Sequence, residues 1–103
     1  MKVYETPELS REIGSARSLE WGYETKIANG KRKYLLIETQ GKLLVYQIDG
    51  AGRAKHIGNG HLFKNFESSV IEFPVSEGGK CAYIKIDDRN KKTDLRGFGG
   101  LAA

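Results

Sequence analysis

The sequence predicts a mainly β domain, bordering on α+β: five antiparallel strands preceded by a short helix. Three observations predict it. Residues 19–28 alternate strictly, with Leu19, Trp21, Tyr23, Thr25 and Ile27 on one side and Glu20, Gly22, Glu24, Lys26 and Ala28 on the other. Asn29-Gly30 and then Gln40-Gly41 are hairpin signals, because both turn positions favour positive φ. The registers those turns imply place apolar side chains of three strands on one face without adjustment.

Each element can be justified in order. Thr6-Pro7-Glu8 reads as a helix start, with Thr6 capping, Pro7 in the first turn and Glu8 at the positive end of the dipole. Leu9, Ile13 and Ala16 follow at helical spacing, so a helix is expected over about 7–17, docked on the sheet. The strand at 19–28 comes next, and Gly22 marks a bend or bulge in it. Strands are expected over 31–39 and 42–49. Thr25 should face Tyr34, Tyr23 should face Leu36, and Trp21 should face Glu38. Leu36 should face Val45, and Leu35 should face Tyr46. The core face collects Trp21, Tyr23, Ile27, Tyr34, Leu36, Leu43 and Val45.

The opposite face carries Leu35, Ile37, Leu44, Tyr46 and Ile48, while the strand at 19–28 offers that face only Glu20, Gly22, Glu24 and Lys26. Something must cover this second apolar patch. The N-terminal helix is the expected cover. Left uncovered, the patch would bind a protein partner or a further copy of the chain.

Residues 49–60, DGAGRAKHIGNG, read as a glycine-rich loop, and 61–66 as a short helix with Asn59 as its cap. Strands follow over about 69–76 and 80–87, joined at Gly78-Gly79. That turn would set Ile71, Phe73 and Val75 against Ile86, Ile84 and Ala82, and pair Glu72 with Lys85 and Glu77 with Lys80. Periodicity is lost over 88–103, which reads as a flexible tail, so 1–103 is expected to be a single domain. The order (α)-β-β-β-(short α)-β-β matches a five-stranded OB-type barrel, and SH3-like barrels or a helix-backed sheet fit it equally. Element order of this kind does not fix function.

Composition narrows the setting. Cys81 stands alone, which excludes a disulfide framework and a cysteine-based zinc site and suits a reducing compartment. No apolar run has the length of a membrane span, and the first residues lack a signal-peptide core, so a cytoplasmic protein with no membrane partner is expected. The net charge of +4 is uneven. Residues 1–28 hold four basic and five acidic side chains, residues 29–65 hold seven and two, and residues 66–103 hold six and six.

That basic middle third leads to the functional expectation: a non-enzymatic module that binds DNA or RNA, preferably single-stranded. Its phosphate-pairing cations are Lys31, Arg32, Lys33, Lys42, Arg53, Lys55 and Lys64, and Tyr46 and His56 are suited to stacking on bases. A second expectation is a protein-interaction module of inhibitor or immunity type, using Leu35, Ile37, Leu44, Tyr46 and Ile48 or a strand edge. A third is a metal-independent ribonuclease with His56, His61 and Glu67 as its acid–base set. No catalytic motif, cofactor motif or metal-ligand set is legible, and Gly50-Ala51-Gly52 and Gly58-Asn59-Gly60 lack the strand-to-helix context of a phosphate loop.

Overall fold

The computed structural model describes residues 1–65 and 68–86, with the side chain of residue 65 excepted. Phe66, Glu67 and the expected tail at 88–103 lie outside the described residues. The chain forms eight strands: β1 (Lys2–Tyr4), β2 (Glu12–Leu19), β3 (Gly22–Ile27), β4 (Arg32–Thr39), β5 (Lys42–Ile48), β6 (Ala54–Asn65), β7 (Ser68–Pro74) and β8 (Cys81–Lys85). Each strand pairs antiparallel with the next, and β8 pairs with β1, closing an eight-stranded barrel. The five-stranded expectation is therefore corrected to an up-and-down barrel whose strand order is sequential, without the crossover of an OB-type Greek key. Closure pairs β1 with β8, so Lys2–Tyr4 and Tyr83–Lys85 present no free edge to each other's side.

The central hairpins match the expected registers. Tyr23 faces Leu36 and Thr25 faces Tyr34, while Leu36 faces Val45 and Leu35 faces Tyr46. Asn29, Gly30, Gln40 and Gly41 all have positive φ, as two-residue turns of this hand require.

Four expectations are corrected. The N-terminal helix does not form. Thr6-Pro7-Glu8-Leu9 is instead a turn closed by Leu9 N–H to Thr6 C=O at 3.0 Å, and Glu5 N–H to Arg11 C=O at 2.9 Å shuts the loop. Pro7 suits the second position of such a turn as well as it suits a helix start. Ile13, read as helical, is the extra residue where Val3 faces Gly14 and Tyr4 faces Glu12. There it packs against the core.

The expected loop at 49–60 and helix at 61–66 are mostly β6. Only 49–53 connects the strands, and Ile57 bulges where Val45 faces Gly58 and Tyr46 faces His56. The glycines here serve close packing. A Cβ on Gly58 would stand 2.8 Å from Pro74 Cγ.

The β7–β8 register is also shifted by two residues, with Ile71 facing Ile84 and Phe73 facing Ala82. The connection is longer than a two-residue turn, closing with Val75 N–H to Lys80 C=O at 2.9 Å. A shift of two preserves which side chains face inward. It does break the expected ion pairs: Glu72 faces Tyr83, and Glu77 pairs with Lys55.

Finally, Trp21 is 45% exposed rather than in the core. It sits in the β2–β3 turn, between Leu19 and Gly22, which face each other.

Side chains fill the barrel. Tyr34, Phe73, Ile27, Leu36, Ile71, Ile84, Val3 and Val45 are fully buried, as an eight-stranded barrel of this width allows. The Tyr34 hydroxyl donates to Val75 C=O at 2.7 Å, and its ring meets Phe73 edge-on at 5.8 Å. Thr25 is fully buried, and its hydroxyl has no hydrogen-bond partner among the described residues. Thr25→Val is accordingly expected to stabilise the barrel by about 1 kcal/mol, read as a higher urea midpoint at unchanged slope.

Candidate functional site

An up-and-down barrel gathers alternate turns at each end. The β3–β4 turn (28–31) and the β5–β6 loop (49–53) share one end, together with the loops at 5–11 and 75–80. Five of the nine residues read as nucleic-acid contacts cluster there: Lys31, Arg32, Lys33, Arg53 and Lys55. Lys42 and Lys64 lie towards the opposite end, at the start of β5 and near the end of β6. Tyr46 and His56 lie on the outer wall between the ends. They face each other across β5 and β6, with ring centroids 5.3 Å apart.

A cleft of about 330 Å³ opens between the two turns at the basic end, lined by Lys31, Arg32, Gln47, Asp49, Arg53 and Lys55 among others. Its loop is built by Asp49. One carboxylate oxygen accepts from Ala51 N–H and Arg53 N–H, both at 2.9 Å, and the other meets Arg53 Nε at 3.2 Å. The Arg53 backbone N–H is the main cause holding the Asp49 carboxyl below its ordinary range. The loop therefore fixes the Arg53 backbone while its side chain stays 82% exposed. Lys55 is matched by Glu77 from the β7–β8 loop. Lys31 makes no ion pair among the described residues.

Arg32 also lines a second, larger cleft of about 1010 Å³, together with Arg11, Lys26, Asn29 and Gly30. The two clefts thus adjoin at Arg32. Arg32 and Gln47 approach the Tyr34 hydroxyl, whose pKa is raised by burial. Lys26 is a cation that the reading of the middle third missed. The hairpin register carried the signal, because it sets Lys26 directly opposite Lys33. Lys33 lies 3.8 Å from Glu24, and Arg17 Nε donates to the same carboxylate at 2.7 Å. The bond from Arg17 holds Glu24 below its ordinary carboxylate range.

The acid–base set read from the histidines is not assembled. His56 Nε2 lies 3.2 Å from Asn59 Oδ1, while His61 sits opposite Glu72. Four residues of strand lie between the two histidines, a run of roughly 15 Å. One scissile bond needs both groups within hydrogen-bond reach. Glu67 lies outside the described residues. Cys81, on β8, is a thiol whose pKa is raised by burial and by the neighbouring Glu72 carboxylate, the opposite of an activated nucleophile. Among the described residues no group of three or more His, Cys, Asp or Glu side chains could hold a metal ion.

The outer wall answers the question of the second apolar face. Leu35, Ile37, Leu44, Tyr46 and Ile48 project outward from β4 and β5, and all five remain partly exposed. No helix among the described residues covers them.

Comparison with known proteins adds no assignment: no protein family, curated protein or solved structure matches the chain.

Proposed function

We propose that the barrel is a non-enzymatic module that binds nucleic acid at the end carrying the β3–β4 and β5–β6 connections. The observation that supports this is the convergence of Lys31, Arg32, Arg53 and Lys55 on one cleft, with Lys26 beside Arg32 in the next. Phosphates are the ligand such a site suits. Its side chains are long, exposed and cationic, and the one carboxylate lining it is already satisfied by its own loop. Single-stranded DNA or RNA is the preferred form in this reading, because a cleft of about 330 Å³ is small. Tyr46 and His56 stand higher on the wall and are left out of the proposed phosphate contacts. The free thiol of Cys81 suits a reducing, cytoplasmic setting.

The test is anisotropy of a labelled oligonucleotide. Affinity is expected to fall steeply with salt. Lys31→Ala with Arg53→Ala should weaken it and lower the slope of log K against log salt by about 1.4, two cations at 0.7 each. Lys42→Ala with Lys64→Ala, at the far end, should leave binding unchanged. No anisotropy change at low salt, or an equal loss from both pairs, refutes the reading.

A second reading, docking of protein on the outer wall, is favoured by the partly exposed row of Leu35, Ile37, Leu44, Tyr46 and Ile48.

A further inference from the structure

The chain carries two Asn-Gly pairs, Asn29-Gly30 and Asn59-Gly60. Their local chemistry is the same. Asparagine is a labile residue, and glycine after it leaves the next backbone nitrogen unshielded. Attack by that nitrogen on the carboxamide closes a five-membered ring. The fold treats the two pairs differently. Asn59-Gly60 lies inside β6, with Asn59 opposite Leu44 and Gly60 opposite Leu43. A Cβ on Gly60 would stand 2.8 Å from a Leu43 methyl carbon and 3.3 Å from the Glu72 carbonyl oxygen. The backbone there is thus packed from both neighbouring strands. The Asn59 carboxamide oxygen is also held, 3.2 Å from His56 Nε2.

Asn29-Gly30 stands at the exposed tip of the β3–β4 turn. Among the described residues, neither the Asn29 carboxamide nor the Gly30 N–H has a hydrogen-bond partner. No atom beyond the turn lies within 4 Å of a Cβ built on Gly30. The turn is anchored at its base by Ala28 N–H to Ile13 C=O at 2.9 Å. Across the tip runs only Lys31 N–H to Ala28 C=O at 3.2 Å, at the long end for such a bond. Ala28 also holds a left-handed φ of 57°, which a residue with a Cβ resists. Little therefore opposes local opening of the tip.

We propose that Asn29 is a site of spontaneous modification, where water converts its carboxamide into a carboxylate at the basic end of the barrel. The Gly30 nitrogen attacks Asn29 Cγ. A Gly30 N–Cγ bond forms, the Cγ–Nδ2 bond breaks, and ammonia leaves carrying the Gly30 proton. Water then opens the imide at either carbonyl: hydroxide adds to the carbon and the proton returns to nitrogen. The product is aspartate or isoaspartate at position 29, with water the only co-reactant. Lys31 follows the attacking nitrogen, and Lys26 and Arg32 line one cleft with Asn29 and Gly30. Those cations favour loss of the Gly30 proton. The new carboxylate would stand among the cations assigned to phosphate and oppose binding there. That consequence rests on the nucleic-acid reading, whereas the modification itself does not.

The experiment incubates the full chain in mildly alkaline buffer, with and without urea, and maps tryptic peptides by mass. Cleavage after Lys26, Lys31, Lys55 and Lys64 places the two pairs on separate peptides, 27–31 and 56–64. In the native chain, 27–31 should exchange NH2 for OH at least roughly tenfold faster than 56–64. In urea the two rates should converge to within about twofold, because the fold alone separates them. Equal rates in the native chain overturn the proposal. So does a native 27–31 peptide that stays unchanged while the urea-treated one converts. Asn29→Asp carries the same charge and should bind a labelled oligonucleotide several-fold more weakly than the native chain. Equal affinities overturn the effect on binding. A native chain that binds no oligonucleotide refutes the nucleic-acid reading, and the peptide map still decides the modification.

Discussion

Gly22→Ala is expected to cost about 3 kcal/mol or more, a large part of the roughly 5–15 kcal/mol that holds a domain of this size folded. A Cβ at that position would stand 1.8 Å from the Leu36 carbonyl oxygen and 2.9 Å from its carbonyl carbon. The obstacle is backbone, so no rotamer change relieves it. Moving β4 away would break the pairing that sets Gly22 opposite Ile37 and Tyr23 opposite Leu36. Gly50→Ala is the control. Nothing lies within 4 Å of a Cβ there, so its effect should stay within about 0.5 kcal/mol. Urea denaturation of the two variants reads the difference as a change in midpoint at unchanged slope. A Gly22→Ala midpoint close to native would mean that β3 and β4 do not approach as closely as described.

Phe73→Ala is expected to cost about 3–5 kcal/mol, because it removes a fully buried ring from an interior with no spare side chain to refill it. The ring meets Tyr34 edge-on, and Tyr34 is tied through its hydroxyl to Val75 C=O. The cavity would therefore open beneath the buried Tyr34 hydroxyl, which joins β4 to the start of the β7–β8 loop. A thermal melt should show the midpoint lower by roughly 15 °C or more. A loss of only a few degrees would mean that the interior collapses around the gap.

The parts of the fold that were legible share one property: their signal is local. Asn29-Gly30 and Gln40-Gly41 carry their own conformational requirement, and each fixes a register by itself. Six of the seven expected core residues on the first three predicted strands are buried. The exception, Trp21, shows why alternation alone misleads. Glu20 and Trp21 are not turn-forming residues, yet the chain reverses at them, and the period-two pattern runs straight through the reversal. β1 is not legible because its three residues are too few to show a period. β6 was hidden by glycine. Gly58 and Gly60 look like loop residues in sequence, but in the barrel they make room for Pro74 and Leu43.

The candidate site divides along the same line. Lys31, Arg32 and Lys33 are contiguous, and their clustering is plain from the sequence. That Arg53 and Lys55 join them while Lys42 and Lys64 do not follows from strand direction, which places alternate connections at opposite ends. Charge counting over a segment cannot separate those ends.

By itself the sequence determined a β domain, two hairpin registers, the inward set on β3 to β5 and a second apolar face on β4 and β5. Turn chemistry and period-two alternation act between near neighbours, so they are readable without the fold. Only the tertiary structure decided the strand number, the closure of β8 on β1 and the exposure of that second face. Those depend on contacts between residues as far apart as Val3 and Ile84, which no local pattern encodes.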